Sequence, residues 1–204
     1  MKRAALGLRM HSGWGVLVAV AGDATSLELM DRRRIVITDP KVPGANQPYH
    51  YAASLGLEES ERYLANCAAI SERLASASVG DLARELGLRR HHVVGSAVLL
   101  AAGRPLPSLA NILASHALIH TADGEFFRRA VRQACEGLRI PVTAMKEREL
   151  HERAQTVFGN QASRVERRIS RLGSSVGPPW TKDHKTAALA AAMVLAGGKA
   201  AVAP

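Results

Sequence analysis

Aromatic side chains are scarce in this chain: phenylalanine, tryptophan and tyrosine together make up 4% of its 204 residues. Leucine, valine and alanine must therefore fill whatever core it builds. Long apolar runs are absent too. No stretch of about twenty consecutive apolar residues occurs, so no membrane-spanning helix and no membrane partner are expected. The alanine-rich stretch at 187–196 is too short to span and reads as a packing helix. Cysteine is limited to Cys67 and Cys135, far apart and without a CxxC pair. That argues against a disulfide, and buried free thiols in a reducing, cytoplasmic compartment are expected. No GxGxxG or P-loop occurs, which leaves a nucleotide cofactor without support. The opening Met1-Lys2-Arg3 mimics the start of a signal peptide, but Arg9 and His11 interrupt the apolar stretch that follows, so secretion is not expected.

What the chain does have is positive charge. Lysine and arginine number 27 against 18 acids, a net charge of +9, with a pI near 10.2. This balance favours polyanionic partners, DNA or RNA first. A basic protein with charge scattered over solvated helices accounts for it equally well, because no long basic run or Arg/Gly tail is present. The hydrophobic fraction of 47% suffices for one sizeable core, and the length suits one domain over 1–204.

The organising stretch is residues 4–37. Leu6, Leu8 and Met10, then Trp14, Val16, Val18 and Val20, then Leu27 and Leu29, and Ile35 and Ile37 recur with a period of two, the spacing of strands with one face on a core. The first two runs are apolar between those positions as well, as expected of strands covered on both faces. Turn signals at His11-Ser12-Gly13 and Gly22-Asp23-Ala24 divide them into a three-stranded meander. A proline-rich loop at 39–48 leads to a helix over 57–86, broken near Ser78-Val79-Gly80-Asp81 and ended by Gly87. A buried strand covers 92–100, closed by Gly103, Pro105 and Pro107. Helices follow from Ser108 to Ile119 and from a cap at Thr121 to Leu138. A short strand covers 140–145. Helices then cover 147–158 and 161–172, and Thr181 caps a last one.

The expected fold class is therefore α/β, with a meander followed by βαβαβα-type alternation and a mixed five-stranded sheet. The helical segment 57–88 is an insertion, and 147–172 holds extra helices. This order is similar to the ribonuclease H-like three-layer fold, and nearest within it to Holliday-junction resolvase-like proteins. Three patches carry the resemblance. Leu6-Gly7-Leu8-Arg9-Met10-His11-Ser12-Gly13-Trp14-Gly15 resembles the first strand and turn of that group. Pro141-Val142-Thr143-Ala144-Met145-Lys146-Glu147-Arg148-Glu149-Leu150 resembles its short strand and the Asp-Glu-Arg-Leu segment after it. Lys182-Asp183-His184-Lys185-Thr186-Ala187-Ala188 resembles its last helix.

The resemblance implies nuclease chemistry with two divalent metals about 3.5–4 Å apart, held by several carboxylates. This chain departs from that pattern. The first aspartate position holds Arg9 or, in a shifted register, Met10 or His11. The second corresponds to Lys146. Only Asp183, with Glu147 one position off, remains acidic. Mg²⁺ needs oxygen ligands in near-octahedral geometry, so loss of the usual nuclease activity is expected.

Parallel strands would bring their carboxyl ends to one edge, where open α/β sheets bind ligands. Candidates there are His11, Ser12, Glu147 and Asp183 for catalysis, and Arg9, Lys146, Arg148 and Lys185 for phosphate. His116 and His120, spaced i, i+4, could ligate one divalent metal ion with an acid such as Glu125; a helix end with His120 on its last carbonyls is the plainer account. Ser12 invites a nucleophile role, although a Ser-Gly turn explains it as well. Trp14 continues the strand period and is expected in the core, and His91-His92 beside Arg89-Arg90 reads as a solvated strand entrance. Arg32-Arg33-Arg34, Arg128, Arg129 and Arg132, and Arg164, Arg167, Arg168 and Arg171 could follow a phosphate backbone. Three functions follow, in this order: a nucleic-acid-binding domain without its nuclease carboxylates, an enzyme of altered chemistry built on the histidines and carboxylates around one metal, or a structural or interaction protein with no ligand in the cleft.

Overall fold

Alternating apolar residues at the start of the chain form β1 (Lys2–Met10), β2 (Trp14–Ala21) and β3 (Glu28–Val36) in a computed structural model that describes residues 1–100 and 105–197. The expected turns join them. Gly13 and Gly22 adopt positive φ, and Asp23 accepts hydrogen bonds from the backbone and hydroxyls of Thr25 and Ser26, which hold its carboxyl well below the usual range.

The third strand departs from a simple period of two. Val20 pairs with Leu29 but Ala19 pairs with Asp31, so Met30 is a bulge residue. Leu27 and Leu29 therefore face the same side as Val18 and Val20, whereas Ile35 and Ile37 face the side of Leu6 and Leu8.

β4 (His91–Leu100) and β5 (Val142–Lys146) complete a mixed sheet of order β3-β2-β1-β4-β5, with β1, β4 and β5 parallel. A second bulge lies in β4 between Val93 and Ser96, where Val94 and Gly95 stand opposite Ala5. Gly103, expected to close this strand, lies outside the described residues.

The helices are α1 (Pro48–Ala52), α2 (Leu57–Leu88), α3 (Leu109–Leu113), α4 (His116–Gly137), α5 (Leu150–Phe158), α6 (Ala162–Val176) and α7 (Lys182–Gly197), with a 3-10 turn at Glu147–Glu149 before α5. α2 is continuous: no break occurs at residues 78–81. Leu64, Cys67, Ser71, Ala75, Val79, Leu82 and Leu86 form one buried stripe, and the tertiary packing of that stripe overrides the weak propensity around Gly80. Asp81 caps nothing and instead pairs with Arg84. The chain passes Gly87 and turns at Arg90, which takes the left-handed conformation. The division between α3 and α4 falls at Ala114-Ser115, not at Thr121, whose hydroxyl donates back to the Ala117 carbonyl inside the helix. His91 is buried with Nδ1 at 2.8 Å from the Arg89 carbonyl, whereas Arg89, Arg90 and His92 are solvated as expected.

Three layers result. α2 and α4 cover one face of the sheet, packing Val79, Leu82, Leu86, Phe127 and Val131 against Leu6, Leu8, Leu17 and Val98. α6 and α7 cover the other, with Val165, Ile169, Ala187, Ala188 and Ala191 on Ala5, Val16, Val18 and Val20. α5 adds Leu150 and Ala154 over Ala97, Leu99 and Met145. Cys67 and Cys135 are free and buried in the first face. Among the described residues no helix is long and apolar enough to cross a membrane.

α7 lies unusually close to β1. A Cβ on Gly7 would land on the Ala187 carbonyl, so only glycine allows the approach. Gly7→Val is expected to destabilise the fold by about 1–3 kcal/mol or more through overpacking. Gly87→Ala, with nothing near its added methyl, should stabilise by about 0.5–1 kcal/mol; urea unfolding of the two variants checks both signs.

Thr181, the expected cap, stands at the start of α7, where the side-chain acceptor is His184 reaching back to it. The Thr181 N–H donates to His184 Nδ1 at 3.2 Å, and the Thr181 hydroxyl lies 2.8 Å from the same nitrogen. Burial, then Arg32, pushes the His184 pKa below its ordinary 6.5, with Asp183 opposing. The unfolded chain therefore takes up this proton at higher pH than the folded one. The stability carried by the neutral ring is complete above about pH 6.5 and is lost as pH falls through the depressed folded-state value. Thermal unfolding should show a fall in Tm below about pH 6.5 that is shallower in His184→Gln.

Candidate functional site

β1, β4 and β5 end at the same edge of the sheet, and α7 begins over it. Arg9 shares the β1 face of Ala5 and Gly7, the face that meets α7, so its side chain runs toward the first turn of α7, where Asp183 stands. Glu147 is the first residue after β5 and arrives beside them.

Arg9 lies between these two acids. Its Nε donates to Glu147 Oε2 at 3.1 Å and Nη2 to Glu147 Oε1 at 3.2 Å, a two-pronged contact. Its Nη1 donates to Asp183 Oδ1 at 2.6 Å. His11 Nε2 lies 2.8 Å from Asp183 Oδ2 and 2.9 Å from Arg9 Nη1. The His11 ring stacks on Trp14 with centroids 4.3 Å apart and an interplanar angle of 16°. Trp14 is half-buried: it packs against the core of the α6/α7 face, as expected, and also meets the Arg34 guanidinium at 4.4 Å at the site's margin. Behind the group, Arg128 donates to the Leu99 carbonyl, and burial lowers its pKa from the usual arginine value while Glu125 opposes.

The structure thus brings together Arg9, His11, Glu147 and Asp183. Ser12 is exposed on the turn, and its hydroxyl engages neither His11 nor another side chain among the described residues. Lys146 leaves the group and pairs with Glu149 at 3.0 Å, its ammonium holding that carboxyl below the usual range. Arg148 is exposed, 4.0 Å from Glu149. Arg148, Lys182 and Lys185 line a cleft of about 610 Å³ between the 3-10 turn, α6 and α7, with Glu147 and Glu166 on its wall.

His116 and His120 do come together, with Nε2 atoms 3.0 Å apart, but at the start of α4, so His120 serves no terminal carbonyls. Their companion is His50 of α1, which sequence reasoning missed, and not Glu125 or His11. Asp123, buried on α4, bonds to His50. Its spacing from His116 and His120, i+7 and i+3, is the one signal in the sequence that marks it. Many arginines grouped for phosphate are engaged internally. Arg33 bridges Asp31 and Glu85, Arg32 donates to the Val176 and Pro178 carbonyls, and Arg168 donates to those of Thr25 and Leu27. Arg164, Arg167 and Arg171 remain exposed on α6.

No protein-family model matches the chain, and no curated protein matches it. Among solved structures it is similar to Thermus thermophilus RuvC in complex with Holliday junction substrate, at 13% identity and a TM-score of 0.51, over 97% of this chain and 96% of that one. A second Thermus thermophilus RuvC structure is similar at 15% identity, with the same TM-score and coverage. With its mixed five-stranded sheet between helical layers, the chain has the ribonuclease H-like fold of these RuvC structures.

Proposed function

We propose that this chain is a nucleic-acid-binding domain on the ribonuclease H-like fold in which the two-metal nuclease chemistry has been lost. The observation that carries this reading is the position of Arg9 between Glu147 and Asp183. Two divalent ions about 3.5–4 Å apart need several carboxylates to hold them. The described residues of this group offer two acids, and both are bonded to a guanidinium. That donor set does not fit two Mg²⁺ ions; a fixed cation already sits between the carboxylates. At least three of the Arg9 N–H groups are taken by the acids. Arg9 therefore contributes charge behind Glu147, and direct phosphate contacts fall to Arg148 and Lys185, which line the cleft, with Lys146 partly neutralised by Glu149. The net charge of +9 supports a polyanionic partner, and the similar RuvC structure holding a Holliday junction makes a four-way junction the first ligand to try.

Binding of a labelled four-way DNA junction and a matched duplex across a salt series tests the reading. We expect junction binding that weakens steeply with salt, without cleavage in Mg²⁺ or Mn²⁺. Arg148→Ala and Lys185→Ala should each reduce the slope of log K against log salt by about 1. No binding at low salt removes the nucleic-acid function, and Mg²⁺-dependent cleavage lost in Asp183→Asn removes the claim of lost chemistry.

The role of Arg9 is tested separately. Arg9→Met leaves two partly buried acids without their cation and should cost about 1–2 kcal/mol, between the values typical of exposed and buried pairs. Added Mg²⁺ or Mn²⁺ should then raise the Tm of the variant and leave the parent unchanged. Equal responses of the two proteins would show that the guanidinium does not stand in a cation's place.

A further inference from the structure

A second cluster of side chains lies apart from the Arg9 group. α1 follows β3 and α4 follows β4, and both strands end at the same edge of the sheet, so the two helices meet beyond that edge. His116 is the first residue of α4. His120 follows one turn later and Asp123 about one turn beyond, a line of i, i+4, i+7 positions on one helix face. His50 reaches the same face from α1. One ring nitrogen from each of His50, His116 and His120 falls within 4.8 Å of the other two.

Proximity of exposed imidazoles is not in itself a site, because each ring can take water instead. The distinguishing feature is Asp123. It is 4% exposed, and both of its oxygens are used on α1. Oδ1 accepts the Tyr49 N–H at 2.7 Å and Oδ2 lies 2.5 Å from His50 Nδ1. A carboxylate accepts and does not donate, so the proton of this contact sits on Nδ1, and Nε2 of His50 presents its lone pair. A buried carboxylate that fixes the tautomer and ring orientation of a histidine is the arrangement found behind metal-bound imidazoles. His116 and His120 complete the donor set. Their Nε2 atoms are 3.0 Å apart, close to the separation of about 3.3 Å that two nitrogens adopt at 2.0–2.1 Å from a tetrahedral ion.

We infer that His50, His116 and His120 bind a single zinc-class divalent ion, with Asp123 as the positioning residue for His50 and the fourth coordination position open to water or a phosphate oxygen. Three neutral imidazoles suit Zn²⁺ and its neighbours over Mg²⁺ or Ca²⁺, which take oxygen ligands. His116 and His120 are exposed, so the fourth position faces solvent, as in zinc sites that take an exchangeable ligand. The inference does not depend on the nucleic-acid reading, since it uses none of the residues at the Arg9 cleft.

Calorimetric titration of untagged, chelator-treated protein with Zn²⁺, paired with the visible spectrum of the Co²⁺ form, tests it. One ion per chain with a Kd tighter than about 10 μM, and the strong visible bands of tetrahedral Co²⁺, are expected. His116→Gln and His120→Gln alter exposed side chains and should leave the fold intact while abolishing tight binding. Asp123→Asn should weaken binding by about 10–100-fold; where that buried change perturbs folding, the two exposed variants decide alone. Binding weaker than about 10 μM, or tight binding that survives either histidine variant, overturns the assignment.

Discussion

The close approach of α7 to β1 is the constraint on which the site depends. Glycine at position 7 and alanines at 187, 188 and 191 remove the side chains that would hold helix and strand apart. The last helix therefore lies directly on the central strand, and its first turn projects past the sheet edge at the level of Arg9. Without that approach, Asp183 would not reach the Arg9 guanidinium at 2.6 Å. A core with so few aromatic side chains is well suited to this contact, because alanine and valine layers pack closely without bulky rings between them.

The fold was largely legible because its main signals are local. Period-two apolar runs, turn residues and alternating helices specify strand count and order, and the shared edge of parallel strands places residues 9–11, 147 and 183 together. What escaped was set by tertiary packing. The bulge at Met30 reverses which face the later part of β3 presents, and a run of leucine and isoleucine at even spacing carries no trace of it. The stripe from Leu64 to Leu86 keeps α2 intact through Gly80, where local propensity favours a break. His50 illustrates the limit most clearly: it belongs to a five-residue helix, and Asp123, bonded to both His50 and the Tyr49 N–H, holds it beside His116. Local spacing can suggest residues on one helix face, but not the visitor from a distant segment.

Net charge also looks different once partners are known. Arg9, Arg32, Arg33, Arg34, Arg128 and Arg168 hold acids, carbonyls or a ring within the fold. They act mainly as multidentate braces between elements. The surface charge left for a polyanion is smaller than a count of 27 basic residues implies, and part of it lies on α6 and around the cleft beside Glu147.

The bulged third strand has a consequence for the protein's life in a crowded solution. β3 is a sheet edge, with backbone donors and acceptors open to another strand. Its middle carries Asp31 and three consecutive arginines, and the bulge at Met30 interrupts its regular pleat. A second molecule attempting to extend the sheet there would meet repeated positive charge and a broken register, so the same residues that brace the fold keep copies of it from adding strand to strand.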